Sequence, residues 1–231
     1  MMIIENIYTD IKAIIDSIFV DSQINSKSIE FKSDKSIVTN YDLKLENKII
    51  EYFKTIGIKE NQIIAEETFN NNIYKHFDFN DNFLIVDPID GTENFAFGLN
   101  EWGSVFTLRI NNKFLNFLYI PSCGYLLTDS ISTPVLINDN SLHAYSTKSL
   151  NTLHFDNIDS TRIFGSASYA FSLFLMGRLS AFTYSSNAKL WDCYTGLYLS
   201  NMLNAKIFIE GTDIKSWLKK PSFLTSFRVN W

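Results

Sequence analysis

Two aspartates three residues apart, Asp87 and Asp90, stand in the segment Asp87-Pro88-Ile89-Asp90-Gly91-Thr92. Hard divalent cations take oxygen ligands, and magnesium commonly joins one or two protein carboxylates to substrate phosphate and water. The segment suits that chemistry. Pro88 stiffens the turn and fixes the separation of the two carboxylates, leaving the Ile89 carbonyl available as a further ligand. Gly91 lets the backbone approach a ligand closely. Thr92 stands where a short helix, Thr92 to Phe97, can begin, so the amides of Gly91 and Thr92 can donate to a phosphate oxygen. Taken alone, the same turn also fits a plain surface turn or a calcium loop. Three further acids bear on that choice: Glu66, followed by Glu67 after an apolar run; Asp42 after Val38-Thr39-Asn40; and Asp192 after Trp191. Singly, each reads as a cap or a solvated acid. Together with the turn, in this order, they outline one carboxylate constellation.

These acids need elements to position them. Ile4, Ile7, Ile11, Ile14, Ile15 and Ile18 fall at helical spacing, which predicts an amphipathic helix from residue 3 to about 20. Thr39 or Asn40 can cap a second helix with Leu45, Ile49, Tyr52 and Phe53 along one face. Ile63-Ile64-Ala65 and Phe83-Leu84-Ile85-Val86 read as buried strands that run directly into Glu66 and Asp87. Strand-like pieces follow at Val105–Ile110, Phe114–Ile120, Tyr125–Thr128 and Leu142–Ser146, with Asn111-Asn112 as a hairpin turn. A helix over 167–177 ending at Gly177, a strand at Leu179–Tyr184, a helix at Leu190–Leu203 and a strand at Lys206–Ile209 complete the reading. The pattern predicts a layered α+β protein, one domain over 1–231. Its halves are expected at about 1–130, carrying the metal and phosphate sites, and 131–231, forming the substrate wall.

Composition narrows the class. Of 231 residues, 46% are hydrophobic, with 20 Phe and 11 Tyr to fill a core, so a folded globular protein is expected. A net charge of -5 offers no bulk attraction for nucleic acid. No run approaches the roughly 20 apolar residues of a membrane-spanning helix. The N-terminal stretch, with Glu5 and Asp10, does not read as a signal peptide. Cys123 and Cys193 are far apart and read as thiols in a reducing cytoplasm rather than as a disulfide framework. His76, His143 and His154 lack the spacing of zinc ligands.

Val38-Thr39-x-x-Asp42, Ala65-Glu66-Glu67-Thr68, Asp87-Pro88-Ile89-Asp90-Gly91-Thr92-x-Asn94-Phe95, Gly165-Ser166-Ala167 and Trp191-Asp192 resemble, in order, the motifs of the inositol monophosphatase family. The resemblance runs from about Lys32 to about Ile209. It implies a layered αβαβα sandwich, usually in homodimers, and a magnesium-dependent phosphomonoesterase using two or three ions. Carried over by motif, Glu66, Asp87 and the Ile89 carbonyl would hold one magnesium, and Asp87, Asp90 and Asp192 a second. Glu66 and Thr92 would orient and deprotonate the attacking water, with Asp42 polarising the Thr92 hydroxyl. Gly91, Thr92, Ser166 and Ala167 would line the phosphate and substrate side.

The sequence departs from the pattern on the substrate side. Members that hydrolyse inositol phosphates typically carry a Glu seven residues before the Trp-Asp aspartate, where this chain has Ser185. Tyr194 follows Asp192 where small residues are common. Phe97 to Gly103 resembles bacterial branches that include histidinol-phosphatase-like members, with Trp102 read as a packed aromatic. The expected substrate is therefore a small sugar, polyol or amino-alcohol phosphate. Histidinol phosphate, fructose 1,6-bisphosphate and 3′(2′),5′-bisphosphate nucleotides are alternatives, and Lys32, Lys189 and Arg178 are candidate partners for a second phosphate. A non-catalytic binding protein that keeps the fold is the alternative of another class. The expected setting is a cytoplasmic homodimer acting on a small phosphorylated metabolite.

Overall fold

The structure is a computed structural model that describes residues 2–24, 27–33, 36–134, 142–152 and 160–231. The N-terminal third supplies helix α1 (Met2–Ile24), strands β1 (Ile29–Phe31) and β2 (Ile37–Thr39), helix α2 (Asn40–Thr55), strand β3 (Ile63–Ala65) and the short helix α3 (Asn71–Lys75). Strand β4 (Phe83–Asp90), helix α4 (Thr92–Ala96) and strands β5 (Gly103–Ile110), β6 (Lys113–Ile120) and β7 (Tyr125–Thr128) follow. The remainder comprises β8 (His143–Ser146), β9 (Thr161–Phe164), α5 (Ala167–Leu175), β10 (Ala181–Lys189), α6 (Leu190–Met202), β11 (Lys206–Ile209), α7 (Ile214–Lys219) and β12 (Leu224–Asn230). A 3-10 segment, Thr147–Thr152, leads from β8 toward β9 and packs on β10.

Two five-stranded sheets organise these elements. The first has the order β3-β4-β5-β6-β7 and is antiparallel except where β3 runs parallel to β4. The second has the order β11-β12-β10-β8-β9, with β8 parallel to both its neighbours. β1 and β2 form a separate antiparallel ribbon. Strand side chains alternate between faces, and β4 uses both. Leu84 and Val86 pack with Ile11 and Ile15 of α1 and Leu45, Ile49 and Phe53 of α2. Phe83 and Ile85 face the opposite way, toward Phe171 and Phe174 of α5, Tyr194 and Leu197 of α6, and Phe182 and Phe227 of the second sheet. Helices α5 and α6 therefore lie between the sheets, and the mixed, layered α+β class expected from the pattern is the one found. Tyr194 is spent in this central layer. It is fully buried, and its hydroxyl donates to the Leu218 carbonyl at 3.1 Å.

Most predicted elements are present with small shifts of boundary. α1 runs to Ile24, beyond the predicted end near residue 20, and Thr39 is the cap of α2. Asn111 and Asn112 take φ of 51° and 61°, the left-handed pair that a tight hairpin needs. β10 begins at Ala181 and continues to Lys189, beyond the predicted Tyr184, because pairing with β12 resumes at Ala188 after an irregularity. The ribbon β1–β2, α7 and β12 were not anticipated. Trp102 is buried against Phe95, with ring centroids 4.9 Å apart. Cys123 is exposed and Cys193 buried, and the two are free thiols. His154 lies outside the described residues. No helix among them is long and apolar enough to cross a membrane.

Candidate active site

Asp87 and Asp90 end the most buried strand of the first sheet. Three residues apart, they would point to opposite faces of a regular strand. The pairing with β5 prevents this: Asp87 lies opposite Val105 and Asp90 opposite Gly103, so β4 spends one residue more than its partner. This is a β-bulge, which re-aims side chains at the edge of a sheet. Both carboxylates therefore meet that of Asp192, and one oxygen from each of the three lies within 4.8 Å of the others. Asp192 arrives from the first turn of α6. Its Oδ2 accepts from the Lys189 amide at 3.1 Å, capping the helix, and from the Tyr184 hydroxyl at 3.4 Å.

The N-terminus of α5 reaches the same place. Ser166 caps that helix and donates from its hydroxyl to Asp90 Oδ2 at 2.6 Å, and the Ser168 amide donates to the same oxygen. Gly103 makes room for this approach, since a Cβ there would fall 2.5 Å from Ser168 Oγ. Gly91 is the second obligatory glycine. Its φ is 89°, and a Cβ would come within 2.8 Å of Ser166 Cβ. The left-handed turn at Gly91 delivers the chain into α4, so Thr92 opens that helix as the sequence predicted.

Thr92 joins the acids of the first half. Its hydroxyl lies 3.0 Å from both Asp42 Oδ1 and the Ile89 carbonyl oxygen. Asp42 is completely buried, and its Oδ2 accepts from the Thr39 amide at 2.8 Å and from the Thr39 hydroxyl. Glu66 lines the cleft at the end of β3 and pairs with Lys32, whose Nζ is 3.2 Å from Oε1. Lys32 also pairs with Glu67 at 2.7 Å, and Glu46 Oε2 accepts from the Glu67 amide at 2.8 Å. Glu46 thus anchors the loop that carries Glu66. Sequence reasoning missed Glu46 and Ser168. A signal for Glu46 existed, because a carboxylate stands beside Leu45 on the apolar face of α2. Nothing near Ser168 in the chain points to Asp90.

The electrostatics describe an excess of negative charge out of water. Burial pushes the Asp87 carboxyl well above its ordinary range, and the charges of Glu66, Asp90 and Asp192 push it further. Burial also raises Asp192 to about 8, helped by Asp90 and Glu66. Asp90 is raised by burial against the hydrogen bonds from Ser166 and Ser168. Burial opposes the Lys32 ammonium, but Glu66 and Glu67 outweigh it and strengthen its hold on the proton. Clustered buried carboxylates with raised proton affinity fit a hard divalent cation, whose charge stabilises their ionised forms.

The cleft is lined by residues of both halves, among them Asp87, Asp90, Asp192, Glu66, Gly91, Thr92 and Ala167. Ser166 stands behind Asp90 rather than on the surface of the cleft, and the Ile89 carbonyl oxygen lies 3.0 Å from the Thr92 hydroxyl. Ser185 does not line the cleft. It sits in the irregular stretch of β10, where its amide donates to Ser149 Oγ at 2.9 Å, and its neighbour Tyr184 faces the cleft instead.

A family model described as the Inositol monophosphatase family matches residues 3–105. An inositol monophosphatase of Dictyostelium discoideum is 27% identical over 195 residues, covering 72% of this chain and 70% of that protein. Among solved structures, an IMPase/NADP phosphatase complexed with Mg2+ and phosphate superposes with a TM-score of 0.79 at 19% identity, over 99% of this chain and 90% of that one. A staphylococcal IMPase-I complexed with products gives 0.77 at 17% identity, over 100% and 91%. At these identities the structural likeness speaks for the fold. The family match spans Asp42, Glu66 and the whole of Asp87–Thr92, and the Dictyostelium relative extends the likeness over most of the chain. The chain is thus similar to the inositol monophosphatase family over residues 3–105 and to an inositol monophosphatase over most of its length.

Proposed function

We propose that this protein is a magnesium-dependent phosphomonoesterase acting on a small sugar, polyol or amino-alcohol phosphate. The observation that carries the reading is the convergence of Asp87, Asp90 and Asp192 beside the Thr92–Asp42 pair. Glu66, Asp87 and the Ile89 carbonyl would hold one magnesium, and Asp87, Asp90 and Asp192 a second, with a third ion possible within the family pattern. When bound, magnesium supplies Lewis-acid polarisation of phosphate and water and offsets the charge of the ester. The protein's own groups do the rest. The Gly91 and Thr92 amides bind phosphate oxygens at the start of α4. Thr92 orients the attacking water, with its hydroxyl hydrogen directed to Asp42. Glu66 accepts the water proton. The new P–O bond forms as the ester P–O bond breaks, and the alcohol leaves after taking up a proton from solvent.

Support for the reading also comes from a neighbouring structure, a dual-specific IMPase/NADP phosphatase bound with D-inositol-1-phosphate, with a TM-score of 0.76 at 19% identity. Histidinol phosphate, fructose 1,6-bisphosphate and bisphosphate nucleotides belong to the substrate panel. A cytoplasmic homodimer is part of the same reading, and sedimentation of the purified chain tests the dimer. The activity test is phosphate release from the panel with and without magnesium. Asp90→Asn and Asp192→Asn are each expected to lose about 100-fold or more in turnover. Undiminished turnover in either variant refutes the assigned ligand set.

A further inference from the structure

Helix α6 lies in an apolar layer, yet it carries a buried hydroxyl in its middle. Thr195 is 2% exposed and stands three positions after Asp192. A threonine inside a helix can satisfy its hydroxyl on the carbonyl four residues before it. Ser200 does this on the same helix, donating to the Gly196 carbonyl at 2.7 Å. Thr195 instead meets Thr107 of β5, with the two hydroxyl oxygens 3.0 Å apart. Thr107 is itself fully buried, as is its cross-strand partner Asn116 on β6.

The partners of Asn116 give this contact a direction. Its side-chain nitrogen donates to Asp129 Oδ1 at 2.6 Å, and its backbone amide donates to Asp129 Oδ2 at 2.7 Å. An ionised carboxylate only accepts. The Asn116 side-chain carbonyl is therefore turned toward Thr107, whose hydroxyl donates to it at 2.6 Å. A hydroxyl has one proton, and that of Thr107 is committed. Thr195 is thus the donor to Thr107. The far end is held as well, because the Tyr8 hydroxyl of α1 donates to Asp129 Oδ2 at 2.6 Å. A run of hydrogen bonds passes from α1 through Asp129, just beyond β7, and across β6 and β5 to α6.

Thr107 stands where it can govern Asp192. It lies two residues along β5 from Val105, which pairs with Asp87, so both side chains share the face turned to α6. Thr195 lies one turn along α6 from Asp192, about 4.5 Å in rise. One seating of α6 on β5 therefore sets both the Thr107–Thr195 contact and the approach of Asp192 to Asp87. The apolar contacts of α6 are close. Tyr194 and Tyr198 lie against Phe83 and Phe114, with ring centroids 6.1 and 4.8 Å apart. Phe171 of α5 covers Gly196, where a Cβ would fall 2.3 Å from its ring. Attraction between apolar surfaces is non-directional, whereas a hydrogen bond demands its distance and angle.

We infer that the chain Thr195–Thr107–Asn116–Asp129 sets the register of α6 on the first sheet and so delivers the Asp192 carboxylate to Asp87 and Asp90. The inference rests on the metal-dependent phosphatase reading and names distant residues that keep its second cation site in shape. Thr107 and Thr195 are positioning residues, since neither lines the cleft.

The test titrates the metal-free full chain with manganese, which accepts the same oxygen ligands as magnesium, and follows the free ion by electron paramagnetic resonance. Thr195→Val keeps the side-chain shape and removes the donor. It is expected to weaken the site that includes Asp192 by about 10-fold, the cost of losing a group that orients a metal ligand. The site at Glu66 and the Ile89 carbonyl should stay within about 2-fold of the parent. Thr195→Ser restores the hydroxyl and should restore binding. Ser200→Ala deletes a hydroxyl that is spent within α6 and should change neither site. Thr195→Ala, with its higher helix propensity, serves the same comparison if the valine variant does not fold. Parent-like affinity without the Thr195 hydroxyl, no rescue by serine, or an equal loss in Ser200→Ala would overturn the inference and leave the phosphatase reading standing. A parent that binds no manganese refutes the metal reading by itself. Crystal structures of the metal-free parent and Thr195→Val then decide the inference: displacement of the Asp192 carboxylate by about 1 Å or more, the scale of helix shifts at packed interfaces, upholds it, and an unmoved carboxylate ends it.

Discussion

Asp42 meets the cleft only through another side chain. Thr39 holds one of its oxygens, and the Thr92 hydroxyl stands 3.0 Å from the other. Burial pushes this carboxyl up to about 6, against the hydrogen bonds from Thr39 and Thr92 that pull it down. While ionised, Asp42 is the stronger acceptor for the Thr92 hydrogen, and the hydroxyl lone pairs are left for water. Protonation removes that preference for direction. The acid limb of kcat is accordingly expected at or below about pH 6, because nearby cations favour the carboxylate. Asp42→Asn should flatten this limb and lower kcat by about 100-fold. Thr92→Ser should retain most of the rate that Thr92→Ala loses. A limb that persists unchanged in Asp42→Asn would assign the titration elsewhere. Glu46 is a positioning residue at the same scale. Glu46→Gln keeps an acceptor for the Glu67 amide and Glu46→Ala does not, so only the alanine should raise the magnesium concentration for half-activation, by about 10-fold. Equal effects of the two would reduce Glu46 to a packing role.

At the scale of elements, the site depends on a bulge and on one close approach. The extra residue in β4 turns Asp90 to the side of Asp87, and Gly103 across the ladder lets α5 come near enough for Ser168 to hold it. Gly103→Ala would place a methyl 2.5 Å from Ser168 Oγ and 2.6 Å from Ile120 Cδ1. A loss of about 1–3 kcal/mol in stability is expected from such overpacking, together with weaker magnesium binding. A full-strength site in this variant would separate the α5 contact from metal binding. These dependencies also mark what the sequence discloses. The isoleucines of α1, the apolar run of β4 and the Asn-Asn hairpin are local signals, and they place their elements within a few residues. The Asp-Pro-Ile-Asp-Gly-Thr turn likewise carries its chemistry in adjacent positions. By contrast, Ser168 lies 78 positions from Asp90, and Lys148 reaches the cleft only because β8 and β10 are paired. The ribbon β1–β2 is three residues per strand, and β1 has Ile29, Glu30 and Phe31 all exposed, so that strand carries no burial pattern to read. β12 does alternate, burying Thr225, Phe227 and Val229, but its place between β10 and β11 is set by pairing that no local pattern encodes.

For the whole molecule, the two cores clamp a shared seam that is rich in buried acid. Asp42, Glu67 and Asp192 are raised to about 6, 7 and 8, each chiefly by burial. Their ordinary values are 3.8, 4.5 and 3.8. Between the ordinary and raised values, the folded metal-free chain binds more protons than the unfolded one. Its stability must then fall as pH rises through that window, the reverse of the usual trend for carboxylates paired with cations. A cation held by the ionised carboxylates acts in the opposite direction, since it binds the folded state best once the protons have left. Thermal melts in chelator are therefore expected to drop by on the order of 5 °C from about pH 5 to about pH 8. Millimolar magnesium should raise the melting temperature strongly at the alkaline end and little at the acid end. Asp90→Asn and Asp192→Asn relieve the repulsion as they weaken cation binding, so they should melt higher than the parent in chelator at about pH 8 and gain less from magnesium. A metal-free chain whose stability stays level or increases with pH would show that the seam's charge is compensated from within the protein, and the case for a cation at Asp87, Asp90 and Asp192 would lose its electrostatic basis.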